Sequence, residues 1–181
     1  MDLHRADDDV VADDPFWSVV RRRHPDLTVV LLPEEPPDDR PPTPPDEARA
    51  HATRLAQAWA ALAPVLAATG APGVTVTPPS VRWAVRDDGE ALVLDKALPG
   101  AGPELLAATA LLLGERGWRL RPGSRGGAPR LDATDGHLEL TGRSGAAATT
   151  LSLAAPAVRL PDDVRREVRD GLVALVAGGA S

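Results

Sequence analysis

Paired carboxylates are the most frequent chemistry-bearing feature of this chain: Asp7-Asp8-Asp9, Asp13-Asp14, Asp38-Asp39, Asp87-Asp88 and Asp162-Asp163. General acid–base catalysis requires two carboxylates that converge on one cleft with separated pKa values, and neighbours in sequence do not converge. Asp87-Asp88 followed by Gly89 reads as a hairpin turn, and Asp162-Asp163 as the acidic first turn of a helix. The four His (His4, His24, His51 and His137) fall in a tail, at a helix end, on a helix and at a strand start. Asp132, Asp135 and His137 come nearest to a metal-ligating set, yet the same run, with Gly136 at its centre, is turn chemistry. Gly100-Ala101-Gly102 stands where a phosphate loop could open a helix. Pro103 removes an N–H there and Glu104 adds negative charge, and both oppose an anion. Gly142-Arg143-Ser144-Gly145 lacks the spacing of a nucleophile elbow. The chain has no Cys and no Tyr, which excludes thiol catalysis, zinc–thiolate sites and disulfides. These residues nominate no catalytic group, no metal site and no cofactor.

The cationic chemistry belongs to Arg, since Lys96 is the sole Lys among 20 basic residues. Arg21-Arg22-Arg23 with His24 suits the end of a helix, where cations complement the dipole, and the acids of 7–14 offset it. Arg82, Arg86, Arg119 and Arg121 alternate with the apolar positions Trp83, Trp118 and Leu120. If both segments are strands, those four guanidinium groups form a basic surface on one sheet face, through which nucleic acid could bind. The charge distribution disfavours that partner. Residues 1–50 carry 13 acids and 6 Arg (−7), residues 51–117 sum to −1, and residues 118–181 sum to +2. The acidity lies in the N-terminal part and the remainder is near neutral, whereas a general nucleic-acid binder carries a basic body.

These groups must be positioned by the following elements. The acidic, unpatterned residues 1–12 predict a disordered tail with no apolar signal-peptide core. Residues 13–32 predict a helix–strand arm: Pro15 opens a helix bearing Phe16, Trp17 and Val20, Pro25 ends it, and Leu27–Leu32 is a strand-like run. In residues 33–45 seven of thirteen are Pro, a stiff linker. Residues 46–177 then read as one domain of ordinary size. Its first helix, 46–69, puts Leu55, Trp59, Leu62 and Leu66 on one face, with Thr43 as a candidate cap and Pro64 as a kink. A short strand is expected at 74–77, a hairpin over 81–95 and a helix at 103–116. Further strands begin at 118 and cover 130–134, 137–142 and 147–154, with 122–129 as a loop. A last helix from 161 turns Val164, Val168, Leu172, Leu175 and Val176 inward. Alternating Leu138, Leu140, Leu151 and Leu153 mark a sheet buried on one face. The expected fold class is therefore α+β: a two-layer sandwich, antiparallel sheet with helices on one face, plus the N-terminal helix–strand arm.

Residues 81–89 (VRWAVRDDG), 114–122 (GERGWRLRP), 131–142 (LDATDGHLELTG) and 151–168 (LSLAAPAVRLPDDVRREV) together resemble a pattern in small uncharacterised actinobacterial α+β proteins, many of them exported or lipid-anchored. The likeness covers about residues 45–177. The composition, rich in Ala, Gly, Pro, Arg, Val and Asp, suits a high-GC genome of the same kind. The resemblance implies a fold and no activity. Exported members would carry paired Cys near Arg86 and Ala157, so the resemblance implies a cytoplasmic offshoot.

The functional expectation is a non-enzymatic protein-interaction or adaptor module. Adjacent aromatics on a helix outside the main body are the kind of anchor on which interfaces concentrate their energy. Phe16, Trp17 and Val20, with Leu27, Val29 and Leu31 as an added strand, are the candidate partner-binding residues, docking on a protein partner or on the chain's own body. Two alternatives remain open: a small-ligand site or enzyme pocket near the Gly-rich loops at 99–103 and 122–129, and nucleic-acid binding through the Arg-bearing sheet face. A soluble cytoplasmic protein with no membrane span is expected.

Overall fold

The computed structural model describes residues 4–5, 15–24, 26, 30–31, 41–69 and 77–178. Two compact units divide the chain, residues 1–40 and 41–181. The boundary falls inside the Pro-rich run, where successive Pro residues supply no donors for regular structure.

In the first unit, strand β1 (His4–Arg5) pairs antiparallel with β2 (Val30–Leu31), His4 opposite Leu31. No residue pattern marks His4 as strand, because a two-residue strand is too short to alternate. Helix α1 spans Pro15–Arg23. Pro15 stands at its first position, where a missing N–H costs nothing. Phe16 and Trp17 meet edge-to-face, with centroids 5.0 Å apart and planes at 78°. The expected anchors Leu27 and Val29 lie outside the described residues, as does the side chain of Leu31.

The second unit opens with α2 (Pro45–Thr69). Ala48, Ala52, Leu55, Trp59, Leu62 and Leu66 are buried along it at alternating spacings of four and three, the signature of one helical face. The helix continues through Pro64, which is exposed. Thr43 does not cap this helix. Its N–H donates to Arg159 O at 2.9 Å, and its Oγ1 accepts from Arg159 N at 3.0 Å. Thr43 thus pairs with the chain leaving the last strand, and Glu47 N bonds Pro44 O instead.

Six strands follow: β3 (Ser80–Arg86), β4 (Gly89–Pro99), β5 (Arg119–Arg125), β6 (Ala128–Thr134), β7 (Glu139–Ser144) and β8 (Ala148–Val158). They form one antiparallel sheet in the order β3-β4-β8-β7-β6-β5. Helix α3 (Pro103–Glu115) carries the chain from β4 to the opposite edge, and α4 (Asp162–Gly178) follows β8. The expected loop at 122–129 is mostly strand: β5 and β6 form a hairpin whose turn residues Gly126 and Gly127 have φ of 58° and 80°. Two successive positive φ values match the twist of a tight hairpin, and Gly adopts them without a Cβ clash. Pro122 is accommodated because β5 is an edge strand. Pro156 lies within β8 at a bulge, where Ala155 and Pro156 together oppose Leu92. The candidate strand at 74–77 falls largely outside the described residues.

All three helices of this unit lie on one side of the sheet. Val81, Trp83, Leu92, Leu94, Leu131, Leu140, Leu151 and Leu153 share a single core with Leu55, Leu62, Leu105, Leu113 and Leu172. Each such Leu buries enough apolar surface to contribute about 2 kcal/mol. On α4 the buried arc centres on Leu172, with Val168 and Val176 on either side and Val164 partly buried. Leu175, expected inside, is 50% exposed because it lies past the edge of that arc. Residues on the other side of the strands form a separate small cluster, Ala91, Val93 and Ala154 with Ala84, which includes no helix residue. This architecture is the α+β class, an antiparallel sheet with helices packed against it. No helix among the described residues is long and apolar enough to cross a membrane.

Candidate functional site

Strand alternation decides which side chains reach the helix-free face. On β3, Trp83 faces the core, so Ser80, Arg82, Ala84 and Arg86 face away. The ladder carries that parity across the sheet. Arg82 opposes Val93, Asp95 opposes Ser152, Ser152 opposes Thr141, Thr141 opposes Asp132, and Asp132 opposes Arg121. The same face therefore takes Arg119 and Arg121 from β5, Arg130, Asp132 and Thr134 from β6, and Glu139, Thr141 and Arg143 from β7. The four expected basic residues, Arg82, Arg86, Arg119 and Arg121, all stand on it. Arg130 and Arg143 join them. The sequence reading missed these two, although their alternation with Leu131 and Leu140 marks the same face.

Two concavities occupy this face. The first, about 570 Å³, is lined by Arg86, Arg119, Arg121, Arg130, Asp132, Thr134, Glu139, Thr141, Ser152 and Ala154, among others. The second, about 650 Å³, takes Arg82, Arg86, Asp95, Arg130, Thr141, Arg143, Thr150 and Ser152. Arg86, Arg130, Thr141 and Ser152 border both, so the two meet and together run lengthwise along β7 and β8. Small residues, Ser152 and Ala154, lie between Arg82 and Arg86 on one side and the Arg residues of β5–β7 on the other.

The charges on this face do not balance. Arg82 Nε lies 2.6 Å from Asp95 Oδ2. Arg130 Nη2 donates to Asp132 Oδ1 at 2.9 Å, and Arg130 Nε lies 2.7 Å from Oδ2, an ion-pair contact outside hydrogen-bond geometry. The hydrogen bond to Asp132, reinforced by its charge, raises the Arg130 pKa above the ordinary guanidinium value. Thr141 Oγ1 also donates to Asp132 Oδ1 at 3.2 Å. None of the ion pairs among the described residues engages Arg86, Arg119, Arg121 or Arg143, and Glu139 is the one acid of the face outside those pairs.

The remaining candidates are held apart from one another. Asp135 Oδ1 accepts from the N–H groups of His137 and Leu138 at 2.7 and 2.6 Å, so its carboxylate builds the β6–β7 turn. Asp132 points to the helix-free face and is occupied by Arg130. Among the described residues no group of three His, Asp or Glu could hold a metal ion. At Gly100-Ala101-Gly102, buried Thr149 Oγ1 lies 2.8 Å from Ala101 O and 3.0 Å from Gly102 O, tying this segment to β8. A concavity of about 250 Å³ adjoins the other Gly-rich turn, lined by Ala128, Pro129, Arg130 and Arg143. In the first unit Phe16 is 65% exposed, while Trp17 and Val20 are half-buried.

Comparison with protein-family models, with curated proteins and with solved structures finds no match to this chain.

Proposed function

We propose that this chain is a non-enzymatic protein-interaction module that docks its partner on the helix-free face of the six-stranded sheet. The observation that carries this reading is the unbalanced set of guanidinium groups. Arg86, Arg119, Arg121 and Arg143 surround a trough without carboxylate partners, against Glu139 alone. A guanidinium is always charged and presents its donors in a fixed fork, which makes it a recognition group and a poor proton carrier at neutral pH. The two carboxylates flanking the trough, Asp95 and Asp132, are each engaged by an Arg, which leaves no converging acid–base pair among the groups on this surface. The arm is the second contact element of this reading, with Trp17 as its anchor.

Nucleic-acid binding is the second reading, and a specific observation favours it: Arg82, Arg86, Arg119 and Arg121 share one face. Against it stand the chain's net charge of −6 and the absence of any aromatic side chain from the lining of both concavities.

The test is capture by the full chain, comparing wild type with the triple variant Arg86→Glu, Arg119→Glu, Arg121→Glu, each confirmed folded by circular dichroism. Proteins retained by wild type are expected to be lost from the triple variant. If the triple variant retains all of them, the sheet face is not the docking surface. Trp17→Ala, run in parallel, reads the contribution of the arm.

A further inference from the structure

We infer that the occupant of the helix-free trough is an extended acidic segment of a partner polypeptide, lying along β8 with its carboxylates on the flanking arginines. This inference rests on the docking surface proposed above and names its ligand.

Three features of the trough point to this chemistry. The first is charge. Arg86 stands on one side, Arg119, Arg121 and Arg143 on the other, and none is engaged by a carboxylate among the described ion pairs. An acidic chain brings the missing partners, and carboxylate matches the guanidinium fork with two parallel bonds. The face already pairs Arg with carboxylate internally, Arg130 with Asp132 and Arg82 with Asp95.

The second feature is the floor. Thr150, Ser152 and Ala154 of β8 are small, so a polypeptide backbone can come close to the sheet, and the hydroxyls of Thr150 and Ser152 offer hydrogen bonds to it. A single-stranded nucleic acid gains much of its affinity from stacking bases on aromatic rings. Trp59, Trp83 and Trp118 are committed to the core on the opposite side of the sheet, and no aromatic lines this trough.

The third feature is direction and length. The two concavities join along β7 and β8, from Thr150 and Arg143 at one end to Ala154 and Glu139 at the other. Four residue steps at about 3.4 Å make roughly 14 Å, the span of an extended segment of about five residues. Side chains of an extended segment alternate with a period of two, so alternate acids reach the Arg of one side and the intervening ones the Arg of the other. Glu139 sits at one end of the trough, where its negative charge sets a boundary on how far an acidic segment extends.

The experiment titrates the full chain with a fluorescent hepta-glutamate peptide and, separately, with heptanucleotides of deoxythymidine and of uridine, at low salt and at 150 mM. Expected is saturable binding of the peptide, weakened at least tenfold in the Arg86→Glu, Arg119→Glu, Arg121→Glu variant and unchanged by Arg166→Glu, an exposed position on α4. Backbone amide shifts on peptide addition should cluster at Thr141, Ser152 and Ala154. If a heptanucleotide binds through the same arginines and the peptide does not, the acidic-segment inference is overturned while the docking face stands. If neither ligand binds, or if Arg166→Glu weakens the peptide as much as the triple variant, both the inference and the docking face are overturned.

Discussion

Arg130 and Asp132 stand two residues apart on the same face of β6, with Arg130 Nη2 donating to Asp132 Oδ1 at 2.9 Å and Nε 2.7 Å from Oδ2. Arg130 borders both concavities, so the guanidinium at the centre of the trough is occupied from within the chain. An incoming carboxylate must compete with Asp132 for it. Asp132→Asn removes the competing charge, keeps the side chain's shape and leaves an oxygen to accept from Thr141. The expected outcome is tighter binding of hepta-glutamate, by roughly three- to tenfold, corresponding to about 1 kcal/mol. Folding stability should change little, because the pair is partly exposed and solvent screens it. Calorimetric titration and a thermal melt check both outcomes. An unchanged or weaker affinity shows that Arg130 takes no part in recognition.

Leu106 of α3 closes directly over Gly142 of β7. A Cβ at position 142 would come within 2.6 Å of Leu106 Cδ2 and 3.1 Å of Leu151 Cδ2. Helix and sheet therefore approach at this point more closely than any side chain allows. Gly142→Ala should destabilise the domain by about 1–3 kcal/mol through overpacking, and Gly142→Val by more. Combining Gly142→Ala with Leu106→Ala should recover part of the loss, since the removed leucine atoms are those that clash. Urea denaturation of the four proteins in a double-mutant cycle measures the coupling. Strictly additive losses would place the helix elsewhere.

Much of this architecture was legible because period-two alternation is strong in β3, β7 and β8 and helical spacing is strong in α2. The Arg82, Arg86, Arg119, Arg121 surface followed from the same alternation. The sequence concealed the β5–β6 hairpin, since Pro122, Gly123, Gly126 and Gly127 all read as loop. At a sheet edge Pro122 loses no ladder bond, and paired glycines with positive φ are what a tight turn requires. Missing that hairpin concealed Arg130 as well, because its role depends on which strands lie beside β6. The trough could not be read from sequence at all. Its two sides come from β3 and from β5–β7, brought together only because β8 returns to pair between β7 and β4.

His51 on α2 is largely buried, its side chain 15% exposed, with Glu47 Oε1 3.7 Å from Nε2. Burial holds its pKa below the ordinary imidazole value, assisted by the charges of Arg54 and His137 and opposed by Glu47. A depressed pKa means that the unfolded chain takes up a proton before the folded one does. Stability contributed by neutral His51 is therefore full above about pH 6.5 and falls as the pH drops through that value. Between pH 7.5 and 5.5, above the carboxylate range, wild type should lose stability and His51→Gln should lose less. Urea midpoints at the two pH values decide it. An equal loss in both proteins assigns the pH dependence to other groups.

Thr109 poses the converse problem, a polar group buried without a partner. It is 0% exposed on the core side of α3, and its Oγ1 makes no hydrogen bond. An unsatisfied buried hydroxyl costs about 1–3 kcal/mol relative to an apolar group of the same shape. Thr109→Val replaces the hydroxyl with a methyl, keeps the β-branch and has a similar helix propensity. The substitution should stabilise the domain by about 1 kcal/mol or more. Thr109→Ser, which keeps the hydroxyl and removes the packed methyl, should destabilise it. These opposite signs separate the polar cost from the packing contribution, and they are read from urea midpoints at pH 7.5. Stabilisation by Ser together with destabilisation by Val would mean that the hydroxyl is bonded and the methyl is strained.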